Sequence, residues 1–209
     1  MTSAVKTVWL IHGWSYTPAL WDAVAAALSG APLRLERVDL GYFGPEHRPV
    51  GRPDLVVGHS FGSLWALMHP DLAAVPVLAV NGFTRFAAAP DFAAGVAPRG
   101  LARMIRGISS DAAAVLAGFR AQIGDAAAVP EGPPESGRLI GDLERLRDDI
   151  AALHAAPLTA LAGDGDPLIP PDHSRACFGD SVRFVSGGGH LLPLTHPAVV
   201  ADAIRACLP

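Results

Sequence analysis

Residues 54–59 predict a strand, apolar at Leu55-Val56-Val57, whose end overlaps the motif Gly58-His59-Ser60-Phe61-Gly62. A helical pattern ending near His69 follows at once. The run Leu55-Val56-Val57 lacks polar alternation, which is typical of a parallel strand buried on both faces. A strand that turns at once into a helix is the repeating unit of α/β proteins. This segment therefore predicts a mostly parallel sheet covered by helices.

The same alternation of strands and helices continues along most of the chain. Helical patterns lie around Trp21, Val24 and Leu28, over 60–69 and over 196–208. Short runs rich in apolar residues predict strands at 5–11, 54–59, 76–80, 158–162 and 182–186, and an alternating pattern predicts one at 33–40. The sequence thus predicts an α/β fold with about six strands.

Between residues 82 and 156 the strand pattern stops. Helices are predicted at 99–106, 110–123 and 136–154, with a proline-containing loop at 124–135. The last helix carries five apolar side chains at helical spacing, which predicts one buried stripe: Leu139, Leu143, Leu146, Ile150 and Leu153. We therefore expect residues 83–156 to form a helical cap inserted after the strand ending near Val80. Residues 1–82 and 157–209 then form the core.

Charge and composition exclude several classes of protein. The chain has 209 residues with 16 basic and 20 acidic side chains, a net charge of −4, which argues against nucleic acid as a partner. The longest stretch without a charged residue, 184–201, contains glycine, proline and histidine, so it does not predict a membrane span. No signal peptide is visible, and the expected location is cytoplasmic. Two distant cysteines predict neither a disulfide framework nor a zinc site, and no metal or organic cofactor is implied.

Ser60 is the candidate nucleophile. A G-x-S-x-G sequence between a strand and a helix is the context of a nucleophile elbow, in which small residues allow a sharp turn that exposes the serine hydroxyl. The start of a helix also favours a developing negative charge. The G-x-S-x-G pattern also occurs by chance in many proteins, and an ordinary structural turn is the alternative interpretation.

A serine hydroxyl needs a histidine base and an orienting carboxylate, and both follow in the chain. Asp166 comes directly after the predicted strand 158–162, and His190 directly after 182–186. Loops at the carboxyl ends of parallel strands are where α/β sites form. Asp164 is an alternative acid, although a turn role suits it better, and His196 is an alternative base that more plausibly caps the last helix.

The remaining histidines lack a motif. His59 occupies the variable position of the elbow, where a structural role is expected. His47, His69, His154 and His173 are expected to be surface or core residues, and no pair has the spacing of a zinc hydrolase.

His12-Gly13-Trp14, at the end of the first strand, is a candidate oxyanion-binding loop. Acyl transfer requires donors for the oxyanion of the tetrahedral intermediate, usually two backbone N–H groups. The residue after the serine, Phe61, supplies one, and we expect Trp14 to supply the other.

Taken together, these motifs resemble the α/β-hydrolase superfamily over nearly the whole chain. The matching segments are Trp9 to Trp14, Gly58 to Gly62, Gly163-x-x-Asp166-x-x-x-Pro170, Gly189-His190 and His196-Pro197. Within that superfamily, the chain resembles the pimeloyl-acyl carrier protein methyl ester esterases of biotin synthesis. The segments behind this second resemblance are His12-Gly13-Trp14 with Trp21, Asn81 to Phe86 and Leu116 to Arg120.

The second resemblance implies a serine carboxylesterase that removes the methyl ester from a pimeloyl chain on acyl carrier protein, an acidic partner. Residues 83–120 carry five arginines and two acids, a net charge of +3, and residues 121–156 a net charge of −4. Arg99, Arg103 and Arg106 share one helical face and are candidate docking residues for the carrier. The alternative is a solvated face with chance bias.

We expect Trp14, Phe83, Phe86 and Phe119 to line the acyl channel, although ordinary core packing suits each of them as well. Two other functions stay open: a small-ester or lactone hydrolase of the same superfamily, and a non-catalytic ligand-binding module on this fold. The oligomeric state is not predicted.

The chain also departs from larger members of the superfamily. They carry a helix between the second and third of these strands, where this chain has only residues 40–53, rich in glycine and proline. A parallel crossover usually needs a dozen or more residues, so we expect an extended loop there. One flank of the sheet would then be uncovered, which favours a partner or dimer contact at that place. Leading strands of larger hydrolases are also missing.

Overall fold

The computed structural model describes residues 5–125, 127, 129–130, 132–153 and 156–208. Its centre is a parallel sheet of six strands in the order β2-β1-β3-β4-β5-β6. The strands are β1 (Lys6–Ile11), β2 (Leu33–Val38), β3 (Leu55–His59), β4 (Val77–Val80), β5 (Leu158–Gly163) and β6 (Val182–Val185). Each lies within two residues of its predicted bounds, so the predicted fold class is confirmed.

The helices are α1 (Asp22–Ala27), α2 (Phe61–Leu67), α3 (Pro98–Gln122), α4 (Ser136–Asp148), α5 (Pro171–Phe178), α6 (Leu192–Thr195) and α7 (Pro197–Ala206). Short 3-10 turns lie at Pro18–Trp21, Pro70–Leu72 and Gly179–Ser181. Helix α1 packs against α6 and α7, and α2 packs against β1, β3 and β4. Every residue of β3 is buried, as its uninterrupted apolar run predicts. No helix in these described ranges is long and apolar enough to cross a membrane.

Helices α3 and α4 follow β4 and pack against each other. The two helices predicted at 99–106 and 110–123 form one continuous element, α3, with a break at Asp111 (φ −153°, ψ 85°). The Asp111 carboxylate accepts a hydrogen bond from the Ala114 N–H at 2.9 Å, as an N-cap residue does. The second half of α3 therefore starts as a separate helix would.

Helix α4 ends earlier than the predicted bound of residue 154, which lies outside the described residues. Its apolar stripe is buried at Leu139, Leu143 and Leu146, but Ile150 and Leu153 are 58% and 62% exposed, so that part of the prediction is wrong. Beyond Asp149 the backbone is extended, and the Ala151 N–H donates to the Thr84 carbonyl at 2.8 Å. Pairing with the segment after β4 thus replaces the last predicted turns of the helix.

Residues 40–53 form an extended connection without a helix, as predicted. The predicted uncovered flank is wrong where this loop crosses the sheet, because Trp9 and Trp65 are 1% and 5% exposed. The Arg48 guanidinium carbon lies 5.2 Å from the centre of the Trp9 ring and 5.6 Å from that of Trp65. A cation over two indoles therefore covers part of the surface that a crossover helix would otherwise cover.

Candidate active site

Ser60 stands between β3 and α2 with φ 52° and ψ −122°, a left-handed conformation that is strained for a residue with a side chain. The turn is possible because the residues two positions before and two positions after Ser60, Gly58 and Gly62, have no side chain. A Cβ at Gly62 would lie 2.5 Å from the Ile11 carbonyl oxygen, and one at Gly58 would lie 2.5 Å from the Ser63 nitrogen. The two glycines of the motif thus let β1, β3 and α2 approach closely enough to present Ser60.

The structure brings Ser60, His190 and Asp166 together. His190 Nε2 lies 3.1 Å from Ser60 Oγ, and His190 Nδ1 lies 2.8 Å from Asp166 Oδ2. Because an ionised carboxylate only accepts hydrogen bonds, the proton belongs on Nδ1, and Nε2 is left to accept from the serine hydroxyl. All three residues are buried, with Ser60 the most exposed at 6%.

Asp166 is held as a carboxylate by its neighbours. Burial raises its pKa, but the charge of His190 and the hydrogen bonds from His190, Ile169 and Leu168 outweigh burial, and the net pKa lies below the ordinary value. The two backbone N–H groups donate to Oδ1 at 2.8 and 2.9 Å. The group is therefore ionised at neutral pH.

The alternative acid and base lie elsewhere. Asp164 is exposed and accepts a hydrogen bond from the Gly187 N–H at 2.8 Å, which suits a turn residue. His196 is at the N-cap position of α7, although its side chain makes no capping hydrogen bond there. Its Nδ1 lies 2.9 Å from the Thr195 hydroxyl.

Asn81 is a site residue that the sequence analysis did not single out. It follows β4 with φ 47°, is fully buried, and donates from Nδ2 to Asp166 Oδ2 at 2.9 Å and to the Gly189 carbonyl at 3.1 Å. The signal that could have found it is its place at the carboxyl end of a strand between β3 and β5, where side chains of neighbouring strands meet.

The side chains of His59 and His12 both form hydrogen bonds with backbone groups near the site. The His59 Nε2–H donates to the His190 carbonyl at 2.8 Å. Burial and the nearby His190 lower the pKa of His59 to about 3, so it is neutral. His12 Nε2 accepts from the Leu40 N–H at 3.0 Å, which fastens the long loop to the end of β1.

The two candidate oxyanion donors are the N–H of Phe61, which directly follows Ser60, and the N–H of Trp14, in the loop after β1. The Phe61 N–H is the first of α2, so the helix provides no acceptor for it. The Trp14 N–H donates to no backbone acceptor among the described residues. The indole of Trp14 is engaged elsewhere, because its Nε1–H donates to the Leu139 carbonyl of α4 at 3.0 Å.

A cavity of about 500 Å³ opens beside Ser60. Trp14, Phe86 and Phe119 line it, as predicted from the sequence, and the rings of Trp14 and Phe119 meet edge to face at 5.0 Å. Phe83 does not line the cavity, so this prediction needs correction. Its ring is fully buried and packs against the rings of Phe86 and His173.

Solved structures of similar shape exist, although no protein-family model and no curated protein sequence matches the chain. A bromoperoxidase from Bacillus anthracis superimposes with a TM-score of 0.74 at 19% identity, over 98% of this chain and 92% of that one. An esterase from Exiguobacterium antarcticum gives 0.75 at 15% identity, over 97% and 91%. An enol-lactonase from Burkholderia xenovorans gives 0.67 at 16% identity, over 98% and 92%.

The chain has the α/β-hydrolase fold. In this α/β-hydrolase fold, the helical insertion supplies much of the cavity wall, because both halves of α3 and two leucines of α4 line it. Identities this low show a common fold and leave the substrate open. Among the residues described, no group of three or more His, Cys, Asp or Glu side chains is placed to hold a metal ion.

A buried polar cluster joins the insertion to the core of the α/β-hydrolase fold. Arg120 of α3 pairs with Asp125 at 3.2 Å and donates to the Ser15 carbonyl at 3.1 Å. Its guanidinium lies 4.4 Å from the centre of the Tyr16 ring, and the Tyr16 hydroxyl donates to Asp125 at 2.6 Å. Since Ser15 follows Trp14, this cluster fixes the loop that carries a candidate oxyanion donor.

Proposed function

We propose that this protein hydrolyses carboxylic esters through a covalent acyl-enzyme. The observation that carries the proposal is the hydrogen-bonded chain of Ser60, His190 and Asp166 beside a largely apolar cavity. Its two links, at 3.1 and 2.8 Å, have the lengths that proton transfer from serine to an oriented histidine needs.

In the first half of the reaction, His190 Nε2 takes the proton of the Ser60 hydroxyl as Oγ bonds to the ester carbonyl carbon. The Trp14 and Phe61 N–H groups hold the negative charge of the carbonyl oxygen, a contribution of roughly 10²-fold in rate for each donor. His190 then returns the proton to the leaving alkoxide, the ester C–O bond breaks, and an alcohol departs.

In the second half, His190 removes a proton from water as the water oxygen bonds to the acyl carbon. The bond to Ser60 Oγ breaks and Oγ recovers the proton from His190. Asp166 stays ionised throughout and stabilises the imidazolium that forms in each half.

The test is a panel of methyl esters, aryl esters and lactones with the wild-type protein and Ser60→Ala. We expect hydrolysis of at least one ester class and a loss of roughly 10⁴-fold or more in Ser60→Ala. Ser109→Ala, the same change at an exposed position of α3, is the control and keeps full activity. Ligand binding without turnover on every substrate would favour a non-catalytic binding module and contradict the proposal.

For the substrate, we propose the methyl ester of a pimeloyl chain carried by acyl carrier protein. The sequence resemblance implies it, and the apolar cavity beside Ser60 suits an alkyl chain. Arg99, Arg103 and Arg106 are exposed on α3, as docking of an acidic carrier requires.

The carrier proposal is tested by comparing Arg99→Glu/Arg106→Glu with the wild-type protein on a carrier-linked ester and on a small free ester. We expect activity to fall much more on the carrier-linked ester, because the repulsion involves the carrier alone. Equal loss on both esters would remove the docking role. Growth rescue of a biotin-requiring strain that lacks its own esterase tests the same substrate in cells.

A further inference from the structure

Arg103 differs from the other exposed arginines of α3 because it lines the cavity. The other described residues that line the cavity are uncharged, so Arg103 is the one charged side chain among them. The rest of the lining is largely apolar, with Gln122 and Ser60 adding neutral polar groups. A cation in such a wall faces whatever occupies the cavity.

Arg103 also lacks the carboxylate partner that most arginines of the insertion have. Within the described ranges, neither an ion pair nor a hydrogen bond engages its side chain. The paired arginines are Arg85 with Asp91 at 2.9 Å, Arg120 with Asp125 at 3.2 Å, Arg138 with Glu46 at 2.7 Å, Arg145 with Asp149 at 3.0 Å and Arg147 with Asp148 at 2.7 Å. An anion for Arg103 therefore has to come from a bound molecule.

Arg103 belongs to a stretch of α3 that forms part of the cavity wall. Gly100, Leu101, Met104 and Gly107 of the same half of α3 also line the cavity. Arg103 is also exposed, and a long cationic side chain commonly lays its stem along apolar surface while its charged end stays in water. The planar fork of a guanidinium matches the two oxygens of a carboxylate.

We propose that Arg103 binds a free carboxylate carried on the substrate chain away from the scissile ester. The cavity then selects half-esters of dicarboxylic acids, with the ester at Ser60, the alkyl chain against the apolar wall and the carboxylate at Arg103. Water hydrolyses such a substrate to an alcohol and a dicarboxylate. This inference rests on the proposed ester hydrolysis and adds a class of small, carrier-free substrates to it.

The experiment compares kcat/KM for two methyl esters of equal chain length, monomethyl suberate and methyl octanoate. The ratio of the two values is measured for the wild-type protein, for Arg103→Gln and for Arg147→Gln. Arg147 is an exposed arginine of α4 that does not line the cavity, so its variant removes the same charge from the insertion without changing the wall.

We expect the ratio of monomethyl suberate to methyl octanoate to fall about fivefold in Arg103→Gln, the upper range for an ion pair that solvent reaches. The Arg147→Gln ratio stays at the wild-type value. High salt lowers the wild-type ratio toward that of Arg103→Gln, because salt screens an exposed pair.

An unchanged ratio in Arg103→Gln overturns the inference while Ser60-dependent hydrolysis of methyl octanoate leaves the proposed function standing. A loss seen only with a carrier-linked ester also overturns it, since the anion would then belong to the carrier. If neither methyl ester is hydrolysed in a Ser60-dependent manner, this inference fails, and the proposed function fails with it only when the aryl esters and lactones are not hydrolysed either.

Discussion

Four donors surround the carboxylate of Asp166, and one of them is the side chain of Asn81. Oδ1 accepts the two backbone N–H groups of the following turn, while Oδ2 is shared by Asn81 and His190. Asn81 also donates a hydrogen bond to the carbonyl of Gly189, the residue that precedes His190. It is therefore placed to position both the acid and the base relative to Ser60.

We expect Asn81→Gly, which tolerates the positive φ and removes the amide donor, to lower kcat/KM about tenfold, as loss of a hydrogen bond to a charged group does. The fall should lie in kcat more than in KM. A loss of stability with an unchanged kcat would mean that Asn81 is only structural.

His59 predicts a pH-dependent stability. Its pKa is about 3 in the folded protein, against an ordinary value of 6.5. Burial lowers the pKa most, the charges of His190 and His12 lower it further, and the charge of Asp166 raises it. Between these pH values the unfolded chain binds a proton that the folded protein does not. The free energy of unfolding therefore falls as the pH drops below 6.5, by up to about 1.4 kcal/mol per pH unit from this group.

Urea unfolding from pH 7 to pH 4 checks this expectation. His59→Gln keeps a donor for the His190 carbonyl and cannot titrate, so its stability should depend less on pH than that of the wild-type protein. His47→Gln, a change at an exposed histidine, is the control and should follow the wild-type curve. Parallel curves for all three proteins would show that His59 is protonated equally in both states.

At the scale of residues, the sequence predicts a site residue where a motif stands directly after a predicted strand. Ser60, Asp166 and His190 each follow a predicted strand, and the structure brings them within hydrogen-bonding distance. Asn81 also follows a strand but has no motif of its own, so only the three-dimensional contact shows its place. The prediction that Phe83 lines the cavity is wrong, because aromatic character alone does not reveal whether a buried ring borders a cavity or packs in the core.

At the scale of elements, the break in α3 shapes the cavity. Asp111 ends one half and caps the next, and residues on both sides of it line the cavity. The halves approach closely, since a Cβ at Gly107 would lie 2.6 Å from Val115 Cγ2. The absence of a side chain at Gly107 therefore permits this close approach beside the cavity.

We expect Asp111→Ala to destabilise the protein by about 1 kcal/mol, because the cap of the second half is lost. Asp111→Asn keeps an acceptor at the same place and should retain nearly full stability. Chemical denaturation of the three proteins measures the difference. Equal stability of Asp111→Ala and the wild-type protein would show that the break needs no cap.

The end of α4 depends on a backbone hydrogen-bonding partner that the sequence does not reveal. The apolar spacing at Ile150 and Leu153 fits a helix, but backbone hydrogen bonding to the segment after β4 is available only in the folded chain. The uncovered flank was predicted from the absence of a helix. One arginine of the replacing loop, Arg48, covers the two indoles instead.

At the scale of the whole molecule, charge counted along the chain overstates the charge that a partner meets. Arg120 contributes to the basic half of the insertion, yet it is 5% exposed and paired with Asp125 from the acidic half. Arg85 is paired with the exposed Asp91, which lies in the basic half itself. The basic character that remains at the surface is concentrated on α3 at Arg99, Arg103 and Arg106, the residues on which the carrier and carboxylate proposals depend.

The proposed hydrolysis depends on Ser60 acting as a nucleophile that His190 and Asp166 activate. Reaction with a fluorophosphonate probe, followed by mapping of the modified residue by mass spectrometry, tests this claim. We expect one probe per chain on Ser60, no labelling in Ser60→Ala, and strongly slowed labelling in His190→Gln and Asp166→Asn. A folded wild-type protein that stays unlabelled, or that is labelled at another residue, would contradict the claim.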